Sequence, residues 1–316
     1  MLYIVNKIFS KMSVLIIIAC ILLLFILLFI FLYFSPFISP YYFKINDLVN
    51  NNKIQPIENN TKILNYPLHE FMINTSHNTY LNSIQHASIT SCKGIKFALK
   101  AGARYIEIDI PSIIFDFPVV AHSNKKYITT SYMKLTNILD CIIKYGLNTS
   151  DPLFIDIEMQ SLTSDKLNNQ IKEIFLNKFG NKLLLPVKDI DFTFLPLKDF
   201  LNKVILIKRS NNPSLDGIMH DPYNLLNITE KDPYITKKTI NDNIMTRVYL
   251  DGSFWSFLSY NIDSNKLRKN YHNLIALNFQ KRDKYLYENL LFFKNYSFIH
   301  KNDQNIDKYG NNNDAF

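Results

Sequence analysis

The polar residues that could do chemistry in this chain stand where short apolar runs end. Residues 72–78 read Met-Ile-Asn-Thr-Ser-His-Asn, so one run closes on His77 and Asn78. A second carries Glu107 and Asp109, two apart and therefore on one face of an extended strand. A third ends in His122, a fourth carries Glu158, a fifth ends in Lys208, and a sixth carries Arg247 and Tyr249. Two acids facing an enclosed lumen are costly unless paired or bound to a cation. Asn78, Glu107, Asp109 and Glu158 form an all-oxygen set, which suits a hard cation, calcium or magnesium, rather than zinc. His77 and His122 are then left as acid–base groups.

Such an arrangement needs strands that deliver side chains to one rim. Eight strand candidates recur: Phe71–Ser76, Arg104–Ile110, Pro118–Ala121, Leu153–Met159, Val204–Lys208, Met245–Leu250, Leu274–Phe279 and Tyr296–His300. Helical patterns separate several, as at Lys93–Ala101, Tyr132–Tyr145 and Asp165–Phe179. Strands alternating with helices argue a parallel sheet, and eight of them an α/β barrel of the TIM type, irregular in its helix-poor second half. Catalytic groups of such barrels sit at the C-terminal ends of the strands.

Val14–Phe34 carries no charge. At about 1.5 Å per residue it spans the roughly 30 Å hydrocarbon core. No small-residue cleavage site follows, so it reads as an uncleaved single-pass anchor behind an N-terminal flank, residues 1–13. Lys7 and Lys11 on one side nearly balance Lys44 and Lys53 on the other, which leaves the orientation open. The cytosolic side is the expectation for the barrel. Residues 35–64, with Pro36, Pro40, Pro56 and runs of Asn, read as a tether. The polar residues 302–316 read as a frayed tail.

Lys+Arg of 35 against Asp+Glu of 27 gives a net charge of +8. That suits an anionic membrane surface; no motif supports nucleic acid, and no protein partner is indicated. Cys20, Cys92 and Cys141 form no disulfide framework, so Cys92 and Cys141 read as ordinary buried thiols, in weak agreement with a reducing compartment. Asn59, Asn74, Asn148, Asn227 and Asn295 fit the glycosylation sequon, although chance matches are expected in a chain so rich in Asn.

The stretch from Ser76 to Tyr80, Ser-His-Asn-Thr-Tyr, resembles the opening motif of the X region of eukaryotic phosphoinositide-specific phospholipase C. Leu99–Arg104 with Glu107 and Asp109, Pro118–His122, Phe179–Leu184 and Lys203–Lys208 follow in the family's order. Thr246–Tyr249, Ser259-Tyr260-Asn261 and Ala276–Gln280 resemble its Y region. The resemblance implies an X region over residues 65–209, a short linker over 210–240 and a Y region over 241–301. There is no room for the family's other lipid- and calcium-binding modules.

The resemblance also implies a mechanism. Calcium held by Asn78, Glu107, Asp109 and Glu158 would activate the inositol 2-hydroxyl and offset phosphate charge. Glu107 or Glu158 would take the proton, His77 would stabilise the phosphorane, and His122 would serve the leaving oxygen and then the water. Lys208, Arg247 and Tyr249 would hold the head group. Ser210 stands where relatives place a second lysine, and Thr229 near a family serine that touches a ring phosphate. Lys125, Lys126, Tyr127, Phe254 and Trp255 read as a rim for the membrane. The expected substrate is a phosphorylated phosphoinositide in a membrane, the 4,5-bisphosphate or 4-phosphate. The alternatives are a lipid-binding pseudoenzyme and a diesterase for unphosphorylated phosphatidylinositol.

Overall fold

The computed structural model describes residues 14–31, 39–83, 85–86, 88–111, 117–123, 127–160, 164–209, 215, 217–221, 223–239, 243–250 and 259–303. Its strands are β1 (Phe71–Ile73), β2 (Thr75–Ser76), β3 (Tyr105–Pro111), β4 (Val119–Val120), β5 (Met133–Lys134), β6 (Leu153–Gln160), β7 (Val204–Lys208), β8 (Leu225–Thr229), β9 (Met245–Tyr249), β10 (Leu274–Ile275) and β11 (Phe298–His300). The helices are α1 (Val14–Phe31), α2 (Tyr41–Asn51), α3 (Cys92–Lys100), α4 (Leu135–Gly146), α5 (Asp165–Phe179), α6 (Ser264–Lys269) and α7 (Lys284–Phe292).

Two arcs of parallel strands carry the site. One runs β2-β3-β6-β7, the other β1-β10-β9-β8. Isolated parallel bridges, Ser76 to Leu277 and Ile207 to His220, extend from their ends. Among the described residues the ladders form two arcs rather than the one closed barrel that was expected. Side chains sort by face. Ile106, Ile108 and Ile110 of β3 and Leu153, Ile155 and Ile157 of β6 pack outward in the core that takes in the helices. Tyr105, Phe154, Ile205, Ile207, Met245 and Phe298 fill a second, inner core. The helices obey the same logic: α4 buries Leu135, Ile138, Leu139 and Ile142, a single stripe at helical spacing. α5 is capped by Ser164, which accepts from Leu167 N at 3.3 Å, and it ends at Gly180, whose φ of 52° needs no Cβ.

Five expectations are corrected. β11 runs antiparallel to β1 and so is no parallel stave. β4 pairs antiparallel with β5 outside both arcs, although Ala121 N still donates to Asp109 O at 3.2 Å. The linker of residues 210–240 contains β8, a stave paired with β9. From residue 39 onward the tether is folded: α2 packs on α7, Ile45 and Ile57 are fully buried, and Ile57 N donates to Asp151 Oδ1 at 2.6 Å. Pro40 stands at the N-cap of α2, ahead of the interior positions where proline would break a helix. Finally, Cys92 and Cys141 are joined in a disulfide between α3 and α4, so they are not free thiols.

α1 is long and apolar enough to cross a membrane, with a mean hydropathy of 3.7, and its apolar side chains are exposed all round.

Candidate active site

Each stave turns from apolar to charged as it climbs. On the inner face β3 reads Tyr105, Glu107, Asp109; β6 reads Phe154, Asp156, Glu158; β9 reads Met245, Arg247, Tyr249. β7 reads Ile205, Ile207 and then Arg209 just past its end. Register places Glu107 beside Asp156 and Asp109 beside Glu158. Four carboxylates therefore form a block on two adjacent strands, over a plug of aromatic and aliphatic residues.

The block faces a cleft of about 370 Å³ lined by His77, Asn78, Glu107, Asp109, His122, Glu158, Arg209, Asn227, Arg247 and Tyr249, with Gln85 and Leu250. The six residues expected to hold the cation and move protons all line it. Oxygens of Glu107, Asp109 and Glu158 lie within 4.8 Å of one another. Asn78 adopts a φ of 43°, the left-handed region that asparagine tolerates, at the turn leaving β2. That turn is stapled to β3, because Thr79 N donates to Glu107 O and Glu107 N to Thr79 Oγ1, both at 3.1 Å.

Four carboxylates, Glu107, Asp109, Asp156 and Glu158, face two guanidinium groups, Arg209 and Arg247, so acidic groups outnumber the guanidinium groups that face them. Burial pushes the Asp109 carboxyl well above the usual range, with the charges of Glu158 and Glu107 adding to it. Its Oδ1 is buried with no hydrogen-bond partner, while Oδ2 accepts from Tyr80 Oη at 2.7 Å. Burial works the same way on Glu107, but Arg209, His77 and Arg247 outweigh it and hold this carboxyl well below its usual value. An orphaned buried carboxylate oxygen amid all-oxygen donors fits a hard divalent cation.

The two histidines are oriented by their partners. His77 Nδ1 lies 3.0 Å from Asn278 Oδ1, and the amide orientation is set by Asn278 Nδ2 donating to Tyr260 O at 2.8 Å. His77 Nδ1 is then the donor, and Nε2 faces Glu107 Oε2 at 3.9 Å. His122 Nδ1 meets Thr129 Oγ1 at 2.8 Å and its Nε2 meets Gln85 Nε2 at 3.3 Å. Burial, then the neighbouring His86 and His77, push the His122 imidazole down to about 4, so it rests neutral. The rings of His86 and His122 lie edge to face at 4.9 Å.

The head-group residues divide. Arg247 is buried, donates to Glu107 Oε2 at 2.6 Å, approaches Asp156 Oδ2 at 3.4 Å and lies 5.2 Å from the Tyr249 ring centre. Lys208 is not in the cleft: it pairs with Asp221 at 2.9 Å, and the inner position belongs to Arg209. The expectation that Lys208 grips the head group is corrected accordingly. Thr229 is paired in register with Tyr249, but it lies outside the cleft lining, and its hydroxyl accepts from Lys231 N at 3.4 Å. Ser210, Lys125, Lys126, Phe254 and Trp255 lie outside the described residues. Tyr127 is exposed.

Sequence reasoning did not single out Asp156, Tyr80, Gln85 or the role of Asn278, and it turned Arg209 away from the lumen. Asp156 was within reach, since it stands two before Glu158 as Glu107 stands two before Asp109.

Comparison with known proteins points to the same family. Residues 64–210 match the family model described as phosphatidylinositol-specific phospholipase C, X domain. The match spans just under half of this chain and bears out the X-region part of the resemblance read from the sequence. The chain is 32% identical over 146 residues to the rat 1-phosphatidylinositol 4,5-bisphosphate phosphodiesterase zeta-1, covering 46% of this chain and 22% of the relative. It is 29% identical over 151 residues to the human inactive phospholipase C-like protein 1, covering 47% and 13% respectively. The chain thus spans less than a quarter of the length of these relatives. Among solved structures, L. pealei PLC21 superposes with a TM-score of 0.64 at 17% identity, covering 75% of this chain and 37% of that one. A calcium-dependent phosphoinositol-specific phospholipase C from Pseudomonas sp. superposes at 0.50 and 12% identity, covering 70% and 93%. These likenesses show a shared fold over 75% and 70% of this chain.

Proposed function

We propose that this chain is a calcium-dependent phospholipase C that cleaves inositol phospholipids to diacylglycerol and inositol phosphate through a cyclic 1,2-phosphate. The observation that carries the reading is His77 and His122 lining one cleft with the carboxylate block of Glu107, Asp109 and Glu158. Asn78, Glu107, Asp109 and Glu158 would hold calcium, which when bound lowers the pKa of a hydroxyl and offsets phosphate charge. Glu107 or Glu158 accepts the proton of the 2-hydroxyl, whose attack on the adjacent phosphate is intramolecular. His77, beside Glu107, would hydrogen-bond through Nε2 to the charge growing on the phosphate. His122 rests neutral, so it would take a proton from solvent in the anionic complex, give it to the leaving oxygen, and then be the base for water.

Head-group choice follows from the cations present. Lys208 points away, Ser210 replaces a lysine of relatives, and Arg209 and Arg247 already serve carboxylates. We therefore propose that the preference for ring phosphates, expected from the family, is weak here. Purified full-length protein should cleave phosphatidylinositol, its 4-phosphate and its 4,5-bisphosphate in vesicles within roughly tenfold of one another. One charge-assisted hydrogen bond to a ring phosphate would add about 10- to 100-fold. A margin above 100-fold for the bisphosphate would overturn the weak preference, and no turnover of any of them would favour the binding-only reading. That second reading draws on the likeness to the inactive phospholipase C-like protein.

We propose further that α1 anchors the barrel to the bilayer. The Cys92–Cys141 disulfide supports placing the barrel in an oxidising compartment, away from the cytosolic side expected from sequence. The asparagines Asn59, Asn148 and Asn295 are exposed, whereas Asn74 is fully buried and donates to Ala101 O. In eukaryotic cells the barrel should be protease-protected in sealed microsomes and lose mass on enzymatic deglycosylation. Protease access without any glycan would place it in the cytosol.

A further inference from the structure

Arg209 has two edges with different duties. On one edge Nε donates to Asp156 Oδ1 at 3.1 Å and Nη2 to Asp156 Oδ2 at 2.5 Å. Asp156 is buried and is itself held by Tyr105 Oη at 3.1 Å and Arg247 Nε at 3.4 Å. It belongs to no cation-binding set. On the other edge Nη1 donates to Glu107 Oε1 and, at 2.8 Å, to Glu158 Oε2. Those two carboxylates, with Asp109, form the close oxygen cluster at the cleft. A guanidinium nitrogen between them acts where a divalent cation would act, and it spends the same lone pairs.

Resting on the reading of Glu107, Asp109 and Glu158 as cation ligands, we propose that Arg209 is a built-in competitor of the divalent cation. Its Nη1 edge holds Glu107 and Glu158 apart from each other's charge in the metal-free chain. It gives them up when a cation binds. The Asp156 fork keeps the side chain in place throughout. This assigns a new role to two residues: Arg209 sets the metal affinity, and Asp156 is its pivot.

The test is calcium binding without substrate. Full-length protein in detergent micelles is titrated with calcium chloride by calorimetry, as wild type, Arg209→Met and Arg209→Lys. Arg209→Met removes the competitor and should bind calcium about 10- to 100-fold more tightly, the worth of one charge-assisted hydrogen bond. An arginine that only braces the fold would leave the affinity unchanged or weaken it when replaced, and either result overturns the proposal. Should Arg209→Met fail to fold, Arg209→Lys carries the test. It keeps the charge but cannot span Asp156 and both glutamates at once, so tighter binding is again expected and unchanged or weaker binding overturns. Calcium binding by none of the three proteins would sink the ligand reading itself; equal binding by all would sink only the competitor.

Discussion

Replacing His122 by glutamine should flatten the acid side of the stability profile. The folded protein holds this imidazole down to about 4, against an ordinary 6.5, mainly by burial. The neutral form is favoured on folding, so the unfolded chain binds the proton more readily between those values. The contribution is fully present above pH 6.5 and is lost as pH falls toward 4. From pH 7 to pH 5 the linkage amounts to about 2 kcal/mol for this one group. Glutamine at this position retains an amide to meet Thr129 and Gln85 but cannot titrate. His86, His220 and His272 are also pushed down by burial, and they contribute equally in both proteins. Urea midpoints in detergent at pH 7 and pH 5 measure the difference. Wild type should lose about 2 kcal/mol more than His122→Gln on acidification. An equal loss in both proteins would refute a neutral, buried His122, and with it the order of proton transfers assigned to it.

Other outcomes follow from particular contacts. Arg247→Met strips the partner from Glu107 in a pair whose side chains are both 2% exposed. It should cost about 3–5 kcal/mol in denaturant unfolding, the usual loss on breaking a buried pair. Gly94→Ala would place a Cβ 2.4 Å from Leu81 O and 2.7 Å from Thr79 O, on the turn that follows His77 and Asn78. Turnover should fall more than melting temperature does, and normal turnover would show that the turn can shift harmlessly. Replacing Cys92 and Cys141 by serine opens a loop with a sequence separation of 49 and should cost about 4 kcal/mol on the chain-entropy argument. Free thiol titration of the unreduced wild type checks the bond itself.

The polar rim was legible because it obeys a two-residue step. Glu107 and Asp109 could share a face only if β3 is extended, and Ile106, Ile108 and Ile110 stand on the other face. β7 was harder. Val204 to Ile207 is apolar throughout, as parallel strands buried on both sides are, so nothing in Val-Ile-Leu-Ile says which parity points inward. Lys208 was read as facing in, and Arg209 is the residue that does. α2 was hidden by Pro40 and the surrounding asparagines, which read as breakers. Its helical face declares itself only through α7, far away in sequence. The disulfide was invisible for a related reason, since spacing gives no connectivity until α3 and α4 are packed.

The central claim is that the cleft hydrolyses an inositol phospholipid with the help of a divalent cation. Its most direct test is release of water-soluble inositol phosphate from phosphatidylinositol vesicles by full-length protein, with calcium and with chelator. Wild type should turn over only with calcium, and His77→Ala and His122→Ala should each lose on the order of 100-fold or more. Full turnover in chelator, or near wild-type rates in both folded histidine variants, would contradict the account.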